Sequence, residues 1–220
     1  MIPLSKPFKS QWLLALALLA CYPLSYLTPP TWAWEDGVIE NSQVVILLAG
    51  FFAAWITYLR ERPGKIASLA LATMPIWAIL VARELSWGAV FTAPLTFNHD
   101  GPVYSSKVLF YKPIVAPTVA VLLLGSLWLA WRHRLDKLVL DMISTRRLPW
   151  FALGVCFFGM IGSGCAEGHL QCGVTIDPEH AESLEELTEL VAYASIVVAQ
   201  ESIYRAYSRI ANAARAARLN

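Results

Sequence analysis

The side chains in this sequence that could do chemistry are carboxylates and imidazoles gathered in a few short stretches. Arg83-Glu84 closes an apolar run that begins after Lys65, placing a fixed cation and a carboxylate side by side at the end of a hydrophobic helix. Ionisable groups at that depth are costly, and where they persist they face a protein interior or a wet cavity. His99 and Asp100 follow in a polar stretch that also holds Lys107 and Lys112, and Glu167 and His169 stand two residues apart in another. Glu40 and Gln43, then Glu186 and Glu189, open two further apolar segments. Converging carboxylates and imidazoles can hold a divalent metal such as zinc, which activates a water. They can equally line a proton or cation path. On the first reading Glu84 and Asp100 are the catalytic carboxylates, and His99, Glu167 and His169 are the metal ligands. Arg83, Lys107 and Lys112 then hold an anionic headgroup, with Glu40, Glu186 and Glu189 completing the binding site.

The elements that must position these groups are membrane helices. Of 220 residues, 57% are hydrophobic and 15% charged, against about 25% charged in soluble domains. The expected fold is all-α: a single membrane domain over 1–220, with six transmembrane helices near 11–28, 38–59, 66–87, 113–131, 148–166 and 183–204. Two other readings of the first run are weaker. A cleaved signal peptide has only Thr31-Trp32-Ala33 for its cut, and a lipoprotein would continue polar after Cys21, where Tyr22-Pro23-Leu24 follows. Between the fourth and fifth helices, Leu135, Leu138, Val139, Met142 and Ile143 recur at helical spacing among basic residues, so 133–146 reads as a short helix in a membrane surface. Gly159 and Ser163, four apart, suit a close helix approach. Ser183-Leu184-Glu185-Glu186 is a capping box, which sets the start of the sixth helix at Ser183. Along that helix Glu186, Glu189, Tyr193, Gln200 and Tyr204 form one polar stripe, expected to face the bundle.

Charge fixes the expected orientation. With a cytoplasmic amino terminus, 14 of 17 basic residues fall inside, and only Arg83, Lys107 and Lys112 fall outside. Both termini are then cytoplasmic. The acids sort the other way, 12 of 16 outside, and His99, His169 and His180 join them there. Several of these acids also sit in first helical turns, where they complement the helix dipole without any site. Arg83 and Glu84, as sequence neighbours, are expected to point to different sides of their helix and to need separate partners. Cys165 and Cys172, facing an oxidising compartment, are candidates for a small disulfide.

Other functions are excluded. A net charge of +1 without a basic groove argues against nucleic acid. No histidine lies within a helix interior to ligate haem, and no phosphate-cradling glycine loop, nucleophile elbow or HExxH occurs. The order Glu35-Asp36-Gly37-Val38-Ile39-Glu40 with Gln43, Arg83-Glu84-Leu85, Lys107 with Lys112, and Glu185-Glu186 with Glu189-Leu190 resembles a group of uncharacterised bacterial multi-pass inner-membrane proteins. That resemblance implies a bacterial inner-membrane location and carries no assigned activity. A more distant similarity is to the ceramidase-like membrane hydrolases, which bind zinc through histidines and use a Ser and an Asp. It would offer Ser86, Asp100, His99 and His169, although that group's paired histidines on a late helix are missing here. The leading expectation is a metal-assisted enzyme acting on a lipid or lipid-linked substrate at the outer leaflet. The alternatives are a non-catalytic subunit whose acidic face docks a basic periplasmic or membrane protein partner, and a cation- or proton-coupled carrier.

Overall fold

A computed structural model describes residues 9–98, 101–170, 172 and 177–219, with side chains over 12–98, 101–170, 172 and 177–208. The candidates His99 and Asp100 lie outside the described residues. The protein is mostly helical. In chain order the elements are α1 (Lys9–Ser25), α2 (Pro30–Ala33), α3 (Val38–Arg60), α4 (Lys65–Glu84), a 3-10 turn (Ser86–Phe91), strands β1 (Thr96–Asn98) and β2 (Gly101–Val103), a second 3-10 turn (Ser106–Val108), α5 (Lys112–Arg132), α6 (Leu135–Ser144), α7 (Trp150–Ala166) and α8 (Pro178–Leu219).

Among the described residues, three helical stretches are long and apolar enough to cross a membrane: Pro30–Arg60, Lys65–Glu84 and Lys112–Arg132. Their apolar side chains are largely not used inside the protein; only 6% of the apolar window of α5 is buried. Trp12–Ser25 and Trp150–Ala166 are shorter apolar helices.

Among the described residues the expected all-α fold has one exception. Thr96–Asn98 and Gly101–Val103 pair antiparallel, with Thr96 opposite Val103 and Asn98 opposite Gly101. Gly101 has φ 102°, and a Cβ there would meet the Trp34 ring at 2.5 Å, so only glycine lets the hairpin lie against that indole. The Tyr104 amide donates to Glu35 Oε2 at 2.8 Å, a second tie between hairpin and turn. Helix bounds differ in several places: α1 ends at Ser25 rather than 28, and α8 runs on to Leu219 rather than 204. The helix expected to reach Trp87 stops at Glu84, because Ser86, Trp87 and Gly88 are all left-handed. The last helix starts at Pro178, ahead of the capping box at Ser183. Asp177 caps it, its Oδ1 accepting from Glu179 N at 3.3 Å, and proline fits the first helical position. Ser183 is buried inside the helix, and Glu185 and Glu186 sit about two turns in, beyond the reach of the amino-terminal dipole.

Residues cluster into two compact units. The first comprises Met1–Ile46, Ala93–Tyr104 and Trp150–Val198. In it α1 packs on α7, with Trp12 and Phe151 rings 5.0 Å apart. Gly159 brings α7 against α8; a Cβ on it would meet Ala192 Cβ and the Thr188 carbonyl, each at 3.0 Å. The small-residue spacing of Gly159 and Ser163 therefore works as expected, with both residues buried.

The second unit comprises Leu47–Thr92, Ser105–Pro149 and Ala199–Asn220. Here α4 packs on α5, and α6 lays Leu135, Leu138 and Met142 into the interior while Val139, Leu140 and Ile143 stay exposed. Tyr207 donates to Asp141 Oδ2 at 2.8 Å and so ties α8 to α6. Burial, aided by the Asp141 hydrogen bond and charge, pushes that phenol up to about 12, so it remains a donor at any ordinary pH. Deeper in the unit, the Trp77 indole donates to Gln200 Oε1 at 2.7 Å, and Gln200 Nε2 donates to the Gly50 carbonyl at 2.9 Å. Gly50 is small because the Trp77 ring lies 2.8 Å from where a Cβ would stand. Gln200→Leu would leave the buried Trp77 indole N–H without its partner, at about 1–3 kcal/mol, while the Gly50 carbonyl keeps its bond within α3. A fall of about 1–3 kcal/mol in unfolding free energy is expected in detergent. Trp77→Phe added to Gln200→Leu should cost less than the sum of the two single changes, a coupling read from a double-mutant cycle.

Candidate functional site

Each unit holds buried carboxylate chemistry, and each site is built by a helix end or a helix face.

In the first unit the polar stripe of α8 does turn inward. Gln43, on α3, is wholly buried. Its Nε2 donates to Glu186 Oε2 at 2.7 Å and to the Glu186 carbonyl at 3.0 Å. Gln43 Oε1 has no hydrogen-bond partner among the described residues. Together with the Glu186 contacts, this buried amide makes the local interior polar rather than inert core. One turn on, Glu189 is buried; its Oε1 accepts from Ser163 Oγ at 2.9 Å and its Oε2 from the Tyr193 hydroxyl at 3.4 Å. Glu40 Oε2 accepts from the Asp36 amide at the start of its own helix. Sequence reasoning named Gln43 without giving it a role, and it missed Ser163 as a partner. The signal for both was present: a polar side chain at helical spacing from an acid, inside an otherwise apolar segment.

Glu167 and His169 meet each other. His169 Nδ1 lies 2.6 Å from Glu167 Oε2, with both side chains largely in solvent. Among the described residues no group of three or more His, Cys, Asp or Glu side chains is placed to hold a metal ion. His180 is elsewhere, packed against Tyr26 with ring centroids 4.5 Å apart and the planes tilted by 50°.

Cys165 and Cys172 form the expected disulfide, with Cα atoms 5.7 Å apart, while Cys21 and Cys156 remain thiols. Maleimide labelling of the denatured protein should therefore count two thiols before reduction and four after it. Closing a loop this short stabilises by about 2–3 kcal/mol, so reduction should lower the unfolding midpoint modestly without abolishing the fold.

In the second unit the site is the end of α4. Glu84 is 6% exposed, and Arg83 Nε lies 3.2 Å from Glu84 Oε1. The two residues thus meet each other, contrary to the expectation of separate sides. The long arginine stem folds around the last turn, and its side chain stays 49% exposed. Beyond Leu85 come the three left-handed residues, Ser86 (φ 43°), Trp87 (φ 58°) and Gly88 (φ 93°). Two of them are not glycine, a costly backbone of the kind that clusters at functional sites. Tyr111 holds the segment, donating from its hydroxyl to the Trp87 carbonyl at 2.7 Å. An apolar cleft of about 320 Å³ opens here, lined by Leu48, Phe51, Val81, Leu85 and Trp87 among others. Its size falls within the rough 300–1,000 Å³ of ligand pockets. Lys112 donates to Ser106 Oγ, and Lys107 is exposed.

Compared with protein-family models, curated proteins and solved structures, the chain matches none.

Proposed function

We propose that this is a bacterial inner-membrane protein of six spans with both termini cytoplasmic, and that it is an enzyme acting on a lipid or lipid-linked substrate at the outer leaflet. The observation that carries the reading is the buried Glu84 carboxylate. It ends a membrane-length apolar helix, where the backbone turns left-handed and residues on both sides of Glu84 line an apolar cleft. An acyl or isoprenoid chain suits that lining. Glu84 serves as general acid or base, and Arg83, with Lys107 and Lys112, meets the anionic headgroup. A divalent ion, if one binds, would supply an activated water. The orientation is supported by the basic residues expected inside and by the 165–172 disulfide, which suits an oxidising compartment. Docking through an acidic face is the weaker reading, because Glu84 and Glu189 are buried and Glu186 is engaged by Gln43.

The test is lipid turnover. Purified protein is reconstituted into vesicles of bacterial lipid extract, with and without a chelator, and the lipid classes are followed by mass spectrometry against protein-free vesicles. Time-dependent conversion of one class supports the reading, and its loss on chelation adds the metal. An unchanged lipid profile with folded protein in both conditions overturns it.

A further inference from the structure

A second cleft in the Leu47–Thr92, Ser105–Pro149 and Ala199–Asn220 unit has the opposite chemistry. It measures about 480 Å³ and lies at the turn between α3 and α4, where Tyr58, Arg62, Lys65, Ser68 and His133 contribute to its wall. Two of these, Arg62 and Lys65, are fixed cations. Arg62 is not a loose surface chain: its guanidinium stacks on the Tyr58 ring, 4.1 Å from the centroid, and donates to the Tyr58 hydroxyl. That contact holds the planar fork in place before any ligand arrives, which reduces the ordering cost of binding. Lys65 is the first residue of α4, whose amino terminus carries no side-chain cap, so the partial positive end of the helix adds to the same field. The acid of this turn, Glu61, has Oε1 engaged by Ser208 Oγ at 2.7 Å.

We propose that this cleft binds a phosphate group, and specifically the phosphodiester headgroup of an anionic phospholipid. The cations and the helix start recognise the phosphate, and the surroundings favour the lipid as its source. Tyr58 and Leu71 give the cleft apolar wall, and the helices that flank it are apolar and outward-facing over most of their length. A free phosphate needs only the cations, whereas a lipid uses both.

The test uses the full-length protein in a neutral detergent, with fluorescent short-chain phosphatidylglycerol, the same chain on phosphatidylcholine, and inorganic phosphate as competitor. Phosphatidylglycerol is expected to bind saturably and at least tenfold more tightly than phosphatidylcholine. The R62Q/K65Q variant should lose at least tenfold in affinity, while K137Q, a basic residue outside the cleft, should lose less than twofold. Circular dichroism and elution volume establish that both variants are folded. Inorganic phosphate that displaces the lipid at low millimolar concentration would assign the cleft to the free anion and overturn the lipid source. Equal binding of the two lipids, or equal losses in R62Q/K65Q and K137Q, would overturn the site itself. If R62Q/K65Q does not fold, R62Q and K65Q are tested singly; threefold or greater losses in each support the site, and smaller losses overturn it.

Discussion

Glu84→Gln is expected to slow lipid turnover by roughly 10²–10⁴-fold, the usual range for removing a general acid or base, while leaving the fold in place. The carboxamide has the shape of the carboxylate and can still accept from Arg83 Nε, now 3.2 Å from Oε1, so packing at the helix end is preserved. What disappears is the group's charge and its capacity to exchange a proton. Because the side chain is 6% exposed, water has little access with which to replace it. The measurement is initial rate against substrate in vesicles, with elution volume and thermal unfolding as fold controls. Full activity in a folded Glu84→Gln protein would remove Glu84 from the chemistry.

Gly159→Leu is expected to give the largest loss of stability. A Cβ alone would stand 3.0 Å from both Ala192 Cβ and the Thr188 carbonyl, and that carbonyl is backbone that cannot swing aside. A leucine must therefore separate α7 from α8. Overpacking costs about 1–3 kcal/mol. The separation also strains the Ser163–Glu189 hydrogen bond one turn away, and a bond to a charged group contributes about 1.5–3 kcal/mol. Together about 3–5 kcal/mol is expected, seen as a lower unfolding midpoint in detergent. Gly159→Ala should lose much less, because a few tenths of an ångström relieve its contacts. Equal stability of the leucine variant and the wild-type protein would show that α7 and α8 do not approach as described.

These variants also show which parts of the fold are legible in the sequence. Spacing within one helix is local information, so the inward stripe of Glu189, Tyr193, Gln200 and Tyr204 could be read from period alone, as could the close approach at Gly159 and Ser163. The Cys165–Cys172 bridge is equally local, seven residues apart. Partners across long separations are not local. Gln43 meets Glu186 over 143 residues and Trp77 meets Gln200 over 123, and both depend on how helices rotate as they pack. The break after Glu84 was hidden for another reason. Serine and tryptophan seldom take positive φ, so nothing in Ser86-Trp87 announces it, and only a tertiary contact such as the Tyr111 hydroxyl on the Trp87 carbonyl makes it hold. The start of α8 lies ahead of Ser183 because a good capping sequence there competes with a better one, Asp177-Pro178, whose cap stands six residues earlier.

The length of α8 has a consequence of its own. Forty-two residues without an internal glycine, and with proline only at the first position, make a rod of about 63 Å. That is roughly twice the ~30 Å of bilayer hydrocarbon. On the six-span reading proposed above, the last fifteen helical residues would reach about 22 Å past the membrane core, farther than a headgroup layer is thick. A dye attached near residue 219 would thus be quenched weakly by a lipid-borne acceptor when the rod stands upright and strongly when it leans, which makes the helix its own gauge of tilt.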